Sequence, residues 1–200
     1  MSTSGVRDVT GLPTYTFGHH SLMWWGTMGI IVIEGTVFVI AIGAYLYLRS
    51  LAQAWPIGAP PPDLTYGTLN TIILLLSAIP NQWTKKVAER ENLKLVRIGL
   101  IVCLAFAVAF LVVRAFEFGS LNVHWDTNAY GSIVYALMVL HTTHLVTDVL
   151  DTIVLTVLMF TGPLEGKRFV DVSENSVYWW FVVGSWPFIY ATVYWVPRLP

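Results

Sequence analysis

Long apolar stretches separated by short polar loops constrain the fold of this chain more than any other feature. A bilayer core of about 30 Å is crossed by roughly 20 apolar residues in helical form. Inside such a core every backbone polar group needs an internal partner, which a helix supplies. We therefore predict an all-α integral membrane protein, a five-transmembrane-helix bundle. The predicted spans cover about residues 24–48, 64–83, 95–118, 129–160 and 177–196.

The composition argues against several other classes of protein. Charged residues make up 12% of the 200 residues and hydrophobic residues 56%, whereas soluble domains usually contain about 25% charged residues. A net charge of -1 supplies no basic surface for nucleic acid. The single cysteine, Cys103, allows no disulfide framework. The sequence therefore argues against a soluble enzyme, a nucleic-acid-binding protein and a disordered tail.

The distribution of lysine and arginine predicts the orientation in the membrane, because these residues favour cytoplasmic loops. Arg49 and Arg198 fall on one side and eight basic residues on the other. We predict an N-terminus inside and a C-terminus outside, with residues 1–23 as an N-terminal cytoplasmic arm and 24–200 as the transmembrane domain. The arm lacks the apolar run of a signal peptide. The eight residues are Arg7, Lys85, Lys86, Arg90, Lys94, Arg97, Lys167 and Arg168.

Ionisable residues inside the predicted spans are functional candidates, because an unpaired charge in hydrocarbon costs several kcal/mol. Glu34 lies about 10 residues, or roughly 15 Å, into the first span. It suits a proton carrier, a lipid or ion ligand, the partner of a buried base, or a hydrogen-bonded acid that joins two helices. Arg114 and Glu117 are three residues apart and can pair. The arginine also suits a lipid phosphate or a snorkelling position at a span end.

Four polar residues of the fourth span, His141, His144, Asp148 and Asp151, lie within an arc of about 80° on a helix. Such a stripe must face the bundle interior or a partner. It could hold a divalent metal, but a di-iron carboxylate bundle needs Glu-x-x-His on two helices and two further glutamates. A hydrogen-bonded histidine–carboxylate cluster is therefore the favoured interpretation. The sequence contains no complete set of catalytic residues.

Five short motifs, in order from about Trp24 to Pro197, resemble subunit III of the haem-copper oxidases in its short five-helix bacterial form. Residues 31–45 are similar to the glutamate helix of that family, with Glu34 in place of the acid. Residues 69–77 resemble the Leu-Asn-Thr and Leu-Leu-x-Ser signature of the family, and residues 114–118 resemble its Gln-x-x-Glu-Tyr motif. Residues 141–145 resemble its His-Gly-x-His-Val motif, and residues 178–194 resemble its closing Tyr-Trp-His-Phe-Val-Asp helix.

Three positions depart from the pattern of that family. Arg114 replaces the glutamine of the family, Trp180 replaces its last-helix histidine, and Val183 replaces its last-helix aspartate. These changes fit a divergent oxidase branch or the subunit III-like accessory protein of nitric oxide reductases.

The resemblance implies a non-catalytic subunit of a respiratory haem-copper terminal oxidase, which oxidises cytochrome c or quinol. The chain would bind no cofactor, with haem and copper held by partner subunits I and II. As a multi-pass protein of the bacterial inner (cytoplasmic) membrane, it would pack on subunit I, hold phospholipid, and support proton uptake and enzyme stability. Glu34, Glu117, His141 and His144 would line a lipid cleft. The residues proposed for lipid contact or a proton network are Glu34, Arg114, Glu117, His141, His144, Asp148 and Asp151.

Two functions of other classes stay open from the residues alone. A small proton- or metal-coupled transporter would use Glu34 and the polar stripe, although the sequence shows no internal repeat of the kind that many transporters have. A membrane di-metal enzyme would require stoichiometric iron, copper or manganese.

Overall fold

A computed structural model describes residues 15–163 and 165–199. It confirms an all-helical architecture with five long helices in this part of the chain. Residues 1–14 of the predicted cytoplasmic arm lie outside it. The long helices are α1 (Leu22–Leu51), α2 (Leu64–Ala88), α3 (Leu93–Gly119), α4 (Ala129–Thr161) and α5 (Gly166–Tyr190). A 3-10 turn, Gly18–His20, precedes α1, and α5 continues into a π-helical turn, Ala191–Trp195, and a 3-10 turn, Val196–Arg198.

Three of these helices, α1, α3 and α4, are long and apolar enough to cross a membrane. The other two carry charged ends, with Lys85 and Lys86 in the last turn of α2 and Lys167 and Arg168 at the start of α5. Helix α5 begins at Gly166 rather than near residue 177. The difference arises because hydropathy excludes a charged segment from a span, whereas lysine, arginine and glutamate are good helix formers.

Side-chain oxygens cap the first turn of four helices and so fix where each one begins. The caps are Ser21 for α1, Asp63 for α2, Asn92 for α3 and Asn128 for α4. At the start of α2, the backbone amide of Thr65 donates a hydrogen bond to the carboxylate of Asp63, which lowers the pKa of Asp63. The loop before it contains four prolines between residues 56 and 62, which lack the amide hydrogen that a helix interior needs.

Helices α2, α3, α4 and α5 form a ring in which each helix contacts the next, and α1 packs outside the ring against α4 and α5. Within α1, Phe38 and Tyr45 are the buried residues. Most of its apolar side chains, such as Val32, Ile33 and Val39, face outwards. The ring therefore contains most of the core, and α1 presents a broad apolar surface on the outside of the bundle.

The connections between helices gather at two ends of the bundle. The lysine-rich end comprises residues 15–21, the α2–α3 turn and the α4–α5 connection, and there Tyr15 donates to Glu91 at 2.8 Å. The proline-loop end comprises loops 52–63 and 120–128 and the C-terminal turn. There Asn128 donates to the carbonyl oxygen of Ile57 at 2.9 Å. These contacts hold the loops against the helix ends.

Helices α2 and α3 approach closely where Gly99 faces Thr84. A Cβ atom at residue 99 would overlap Thr84 Oγ1, and overpacking a helix contact typically costs about 1–3 kcal/mol. We predict that Gly99→Ala lowers the free energy of unfolding in detergent by about that amount, measured by denaturant titration. Adding Thr84→Ala should recover part of the loss, because it removes the obstructing oxygen.

Gly29→Ala is the matched control, since a Cβ atom there meets nothing within 4 Å. It should leave stability unchanged or raise it slightly, because alanine favours helix over glycine. Equal stability of Gly99→Ala and the unaltered chain would contradict the close approach of α2 and α3.

Candidate functional site

A buried ion pair lies inside the ring of helices. Arg114 Nη1 is 3.0 Å from Glu117 Oε2, and their side chains are 2% and 0% exposed. Both residues belong to the C-terminal part of α3. A spacing of three residues places them on the same helix face. The predicted pairing of these two residues is therefore confirmed.

Glu117 also accepts hydrogen bonds from two other helical elements. Asn70 Nδ2 of α2 donates to Oε2 at 2.5 Å. Tyr194 Oη, in the π-helical turn after α5, donates to Oε1 at 2.5 Å. Such short, charge-assisted hydrogen bonds are stronger than those between neutral groups. The carboxylate thus connects α2, α3 and the C-terminal turn.

The guanidinium of Arg114 is enclosed by aromatic rings. Its Cζ atom is 4.7 Å from the centre of the Phe110 ring and 4.2 Å from that of Trp186. A cation over a desolvated aromatic face is attracted by the ring quadrupole. Arg114 is 1% exposed, so its partners are protein groups. The sequence alone also allowed contact with a lipid phosphate or a snorkelling position at a span end.

His141 joins this ion pair to α4 and α5. Its Nδ1 atom is 3.4 Å from Arg114 Nη2, and its Nε2 atom is 3.1 Å from the carbonyl oxygen of Val182. Arginine only donates and a carbonyl only accepts. Nδ1 must therefore be the acceptor, and Nε2 must carry the hydrogen. His141 is a neutral imidazole with both ring nitrogens in use.

Glu34 forms a separate contact between α1 and the ring. Tyr178 Oη of α5 donates to Glu34 Oε2 at 2.6 Å, and His144 Nε2 of α4 lies 3.6 Å from the same oxygen. His144 Nδ1 is 2.6 Å from the carbonyl oxygen of Leu140, so Nδ1 carries a hydrogen. Glu34 therefore joins α1 to α4 and α5, as one interpretation of the sequence expected.

Asp148 and Asp151 meet at one amide of α5. Asn175 Nδ2 is 3.3 Å from Asp148 Oδ1 and 3.1 Å from Asp151 Oδ2. The amide oxygen of Asn175 accepts from Thr152 Oγ1 at 3.2 Å, which fixes the orientation of the amide. Asp148 is buried and Asp151 is exposed. A single neutral donor therefore serves two carboxyl groups.

The polar stripe of α4 divides among these contacts instead of forming one cluster. His141 binds near the ion pair, His144 contacts Glu34, and the two aspartates meet at Asn175. The four stripe residues share a face, but a rise of 1.5 Å per residue spreads them over about 15 Å. The predicted histidine–carboxylate contact occurs across helices, between His144 and Glu34. Among the described residues, no three histidine, cysteine or acidic side chains converge as metal ligands.

Four residues of these contacts were not singled out by sequence reasoning. Asn70, Tyr178 and Tyr194 stand inside motifs that carry the resemblance, which is the signal that could have found them. Asn175 has no such signal, because an isolated asparagine in a helix most often faces solvent or caps an end.

Together, these observations define the class of protein. The chain is a helical membrane protein in which an ion pair and hydrogen bonds between buried polar side chains join the helices. The family model for cytochrome c oxidase subunit III matches residues 6–197. The chain belongs to the cytochrome c oxidase subunit III family, which confirms the resemblance read from the motifs.

Individual relatives agree with this assignment. Cytochrome c oxidase subunit 3 of Synechocystis is 28% identical over 199 residues, covering 96% of this chain and 84% of that protein. The subunit 3 of Pylaiella littoralis is 27% identical over 178 residues, covering 84% and 65%. Heme-copper oxidase subunit I+III of Aeropyrum pernix is 28% identical over 184 residues, covering 87% and 22%. The chain thus spans under two thirds of the Pylaiella protein and about a fifth of the Aeropyrum protein.

The buried ion pair yields a stability prediction. Glu117→Gln should lower the free energy of unfolding by about 3–5 kcal/mol, because Arg114 is left as an uncompensated buried charge. The NH₂ group of the new glutamine would also face the N–H donors of Arg114 and Asn70, and two donors cannot form a hydrogen bond with each other. Denaturant titration of the purified protein would measure the change.

Asp126→Asn is the matched control, since it removes a carboxylate from an exposed loop. The double variant Arg114→Gln/Glu117→Gln should lose less stability than the sum of the two single variants, because neither charge is then unpaired. Strictly additive losses would contradict the coupling of the two side chains.

Proposed function

We propose that this chain is a non-catalytic subunit of a respiratory haem-copper terminal oxidase and packs on the catalytic subunit. The observation that carries the proposal is the family match over residues 6–197. The name of the Aeropyrum relative, which joins subunits I and III, supports subunit I as the partner. In this assembly the chain would support proton uptake and keep the enzyme stable during turnover.

Haem and copper would reside in partner subunits I and II, which would also select cytochrome c or quinol as the electron donor. The donor chemistry of this chain supports that division. Both ring nitrogens of His141 are engaged by Arg114 and Val182. Those of His144 face Leu140 and the Glu34 carboxyl group. His141 therefore offers no free lone pair to an iron or copper ion.

We also propose that all five helices cross the bacterial inner membrane, with the N-terminus in the cytoplasm. Three of the helices meet the length and hydropathy of a span by themselves. Helices α2 and α5 are 25 residues each and belong to the same ring. The eight-to-two division of basic residues supports the orientation.

Phospholipid would occupy an apolar groove between α1 and α5. The groove has a volume of about 460 Å³, and Phe38 and Ile42 of α1 face Phe181 and Phe188 of α5 across it. Such a surface suits an acyl chain, because it offers apolar contact and almost no hydrogen-bonding groups. Lipid held there would fill the space between α1 and the ring.

A mild-detergent pull-down of the tagged chain tests the assembly. We expect haem absorption bands and a larger polytopic partner in the eluate, together with phospholipid. The haem type and the acceptor used, oxygen or nitric oxide, then separate an oxidase from a nitric oxide reductase. A colourless, partner-free protein under conditions that preserve such complexes would contradict the proposal and favour the transporter, which flux into liposomes would test.

A second test concerns proton uptake by the assembled enzyme. Glu34→Gln should lower turnover, because an amide side chain cannot take up and release a proton as a carboxyl group can. Tyr178→Phe is the control, since it removes the hydrogen bond to Glu34 but retains the carboxyl group. Equal pH–rate profiles for Glu34→Gln and the unaltered complex would show that Glu34 only joins helices.

A further inference from the structure

A small cavity lies inside the ring, where α2, α3, α4 and α5 meet. Its volume is about 10 Å³, which is room for one particle of the size of water. Although the core around it is largely apolar, the cavity is lined by side chains that carry oxygen atoms. They include Ser77, Asn81 and Thr84 of α2, Asp148 and Thr152 of α4, and Ser176 of α5.

The hydroxyl groups of this lining have already used their hydrogens. Ser77, Thr84 and Ser176 each donate to a backbone carbonyl oxygen of their own helix, at 2.6, 2.8 and 3.0 Å. Thr152 donates to the amide oxygen of Asn175 at 3.2 Å. A hydroxyl group has one hydrogen and two lone pairs. These four groups therefore offer only lone pairs to the cavity.

Asn81 adds a further oxygen to the lining. Its Nδ2 atom donates to the carbonyl oxygen of Ser176 at 2.9 Å, which fixes the orientation of the amide. Oδ1 accepts no hydrogen bond from the residues that the structure describes. The cavity therefore presents several acceptors to whatever occupies it, and a cation satisfies acceptors that a neutral apolar group cannot.

Asp148 brings a negative charge to the cavity. The residue is 3% exposed, and Oδ1 accepts from Asn175 Nδ2 at 3.3 Å. The same amide also donates to Asp151 at 3.1 Å. Within the described part of the chain, Oδ2 of Asp148 accepts no hydrogen bond and the residue belongs to neither ion pair. A buried carboxylate with one shared neutral donor is costly unless a cation accompanies it.

A wider acidic cleft gives an ion access to Asp148. It lies between α1, α4 and α5 and has a volume of about 600 Å³. Asp148 and Asn175 line both the cleft and the cavity. A cleft with an excess of negative charge raises the local concentration of cations. The other charged residues that line it, among those described, are Lys167 and four acids, Glu34, Asp151, Asp171 and Glu174.

The size and charge of the cavity favour a monovalent cation. Ca²⁺ takes about 6–8 oxygen ligands, and Mg²⁺ demands octahedral geometry and keeps several waters. A cavity for one particle with one carboxylate offers too little room and charge for either ion. The described side chains also do not converge as three histidine, cysteine or acidic ligands, which a transition metal would prefer. Na⁺ is bound by neutral oxygens as well as carboxylates, and it is smaller than K⁺.

We propose that this cavity is a sodium site at the centre of the helix ring. Asp148 supplies the charge, and neutral oxygens of α2, α4 and α5 complete the shell. The ion enters through the acidic cleft. It neutralises the buried carboxylate and joins three helices, so it stabilises their packing. The inference goes beyond the proposed subunit role and does not rest on it, because every ligand belongs to this chain.

Binding of radioactive Na⁺ to the purified full chain in detergent tests the site. We expect one ion per chain, retained in the presence of excess choline chloride. Asp148→Asn should remove this binding, because the charge of the site is lost while the shape of the side chain is kept. Asp171→Asn is the matched control, since Asp171 lines the cleft but not the cavity, and it should retain the binding.

Thr152→Val keeps the test valid if Asp148→Asn does not fold, which circular dichroism would show. Valine has nearly the shape of threonine but lacks the hydroxyl oxygen, so this variant should bind Na⁺ more weakly than the unaltered chain. Binding that is unchanged in Thr152→Val and in a folded Asp148→Asn variant would place the ion elsewhere and overturn the proposal.

Thermal unfolding measures the effect of the ion on the fold. With Na⁺ at about ten times its Kd, the Tm should rise by about 3–6 °C relative to choline chloride at the same ionic strength. KCl should give a smaller rise, and Asp148→Asn should give none. Equal Tm values in the three salts, without bound Na⁺, would show that the cavity holds water or that Asp148 holds a proton, and would overturn the sodium site. Displacement of bound Na⁺ by micromolar CaCl₂ would show a divalent site and overturn it as well.

Discussion

The ion pair between Arg114 and Glu117 lies among four helices, and its burial determines what surrounds it. A charge in this position is costly unless its donors and acceptors are used. That requirement explains why Asn70, Tyr194 and His141 all direct polar atoms to the pair. These residues belong to α2, the turn after α5, and α4. The pair therefore couples helix positions that apolar packing alone would leave adjustable.

Helix α1 is held by a different kind of contact. It lies outside the ring, and Glu34 joins it to Tyr178 and His144 through one oxygen atom. Since α1 buries little of its surface, space is left between it and α4 and α5. A cleft of about 600 Å³, lined in part by Glu34 and Asp148, and the apolar groove occupy that space. The boundary of α1 therefore supplies the site for lipid that we propose.

The departures from the subunit III pattern have local structural explanations. Arg114 brings a positive charge where the family has glutamine, and Glu117 of the same helix compensates it. Trp180, in place of histidine, donates to Gln82 at 2.9 Å. Val183, in place of aspartate, is 3% exposed within the apolar core. Each of the three side chains thus has contacts within this chain.

Local properties of the sequence determined the helices, the pairing of Arg114 with Glu117 and the shared face of the α4 stripe, because hydropathy, capping and helix period act over a few residues. Tertiary packing alone decided which distant groups meet. Tyr194 reaches Glu117 across 77 residues of chain, and Asn175 collects two aspartates of another helix. Glu174 of α5 is 3% exposed, and its burial likewise depends on how that helix packs against its neighbours. A periodic pattern defines a face, but the side chain that meets that face depends on how helices pack in three dimensions.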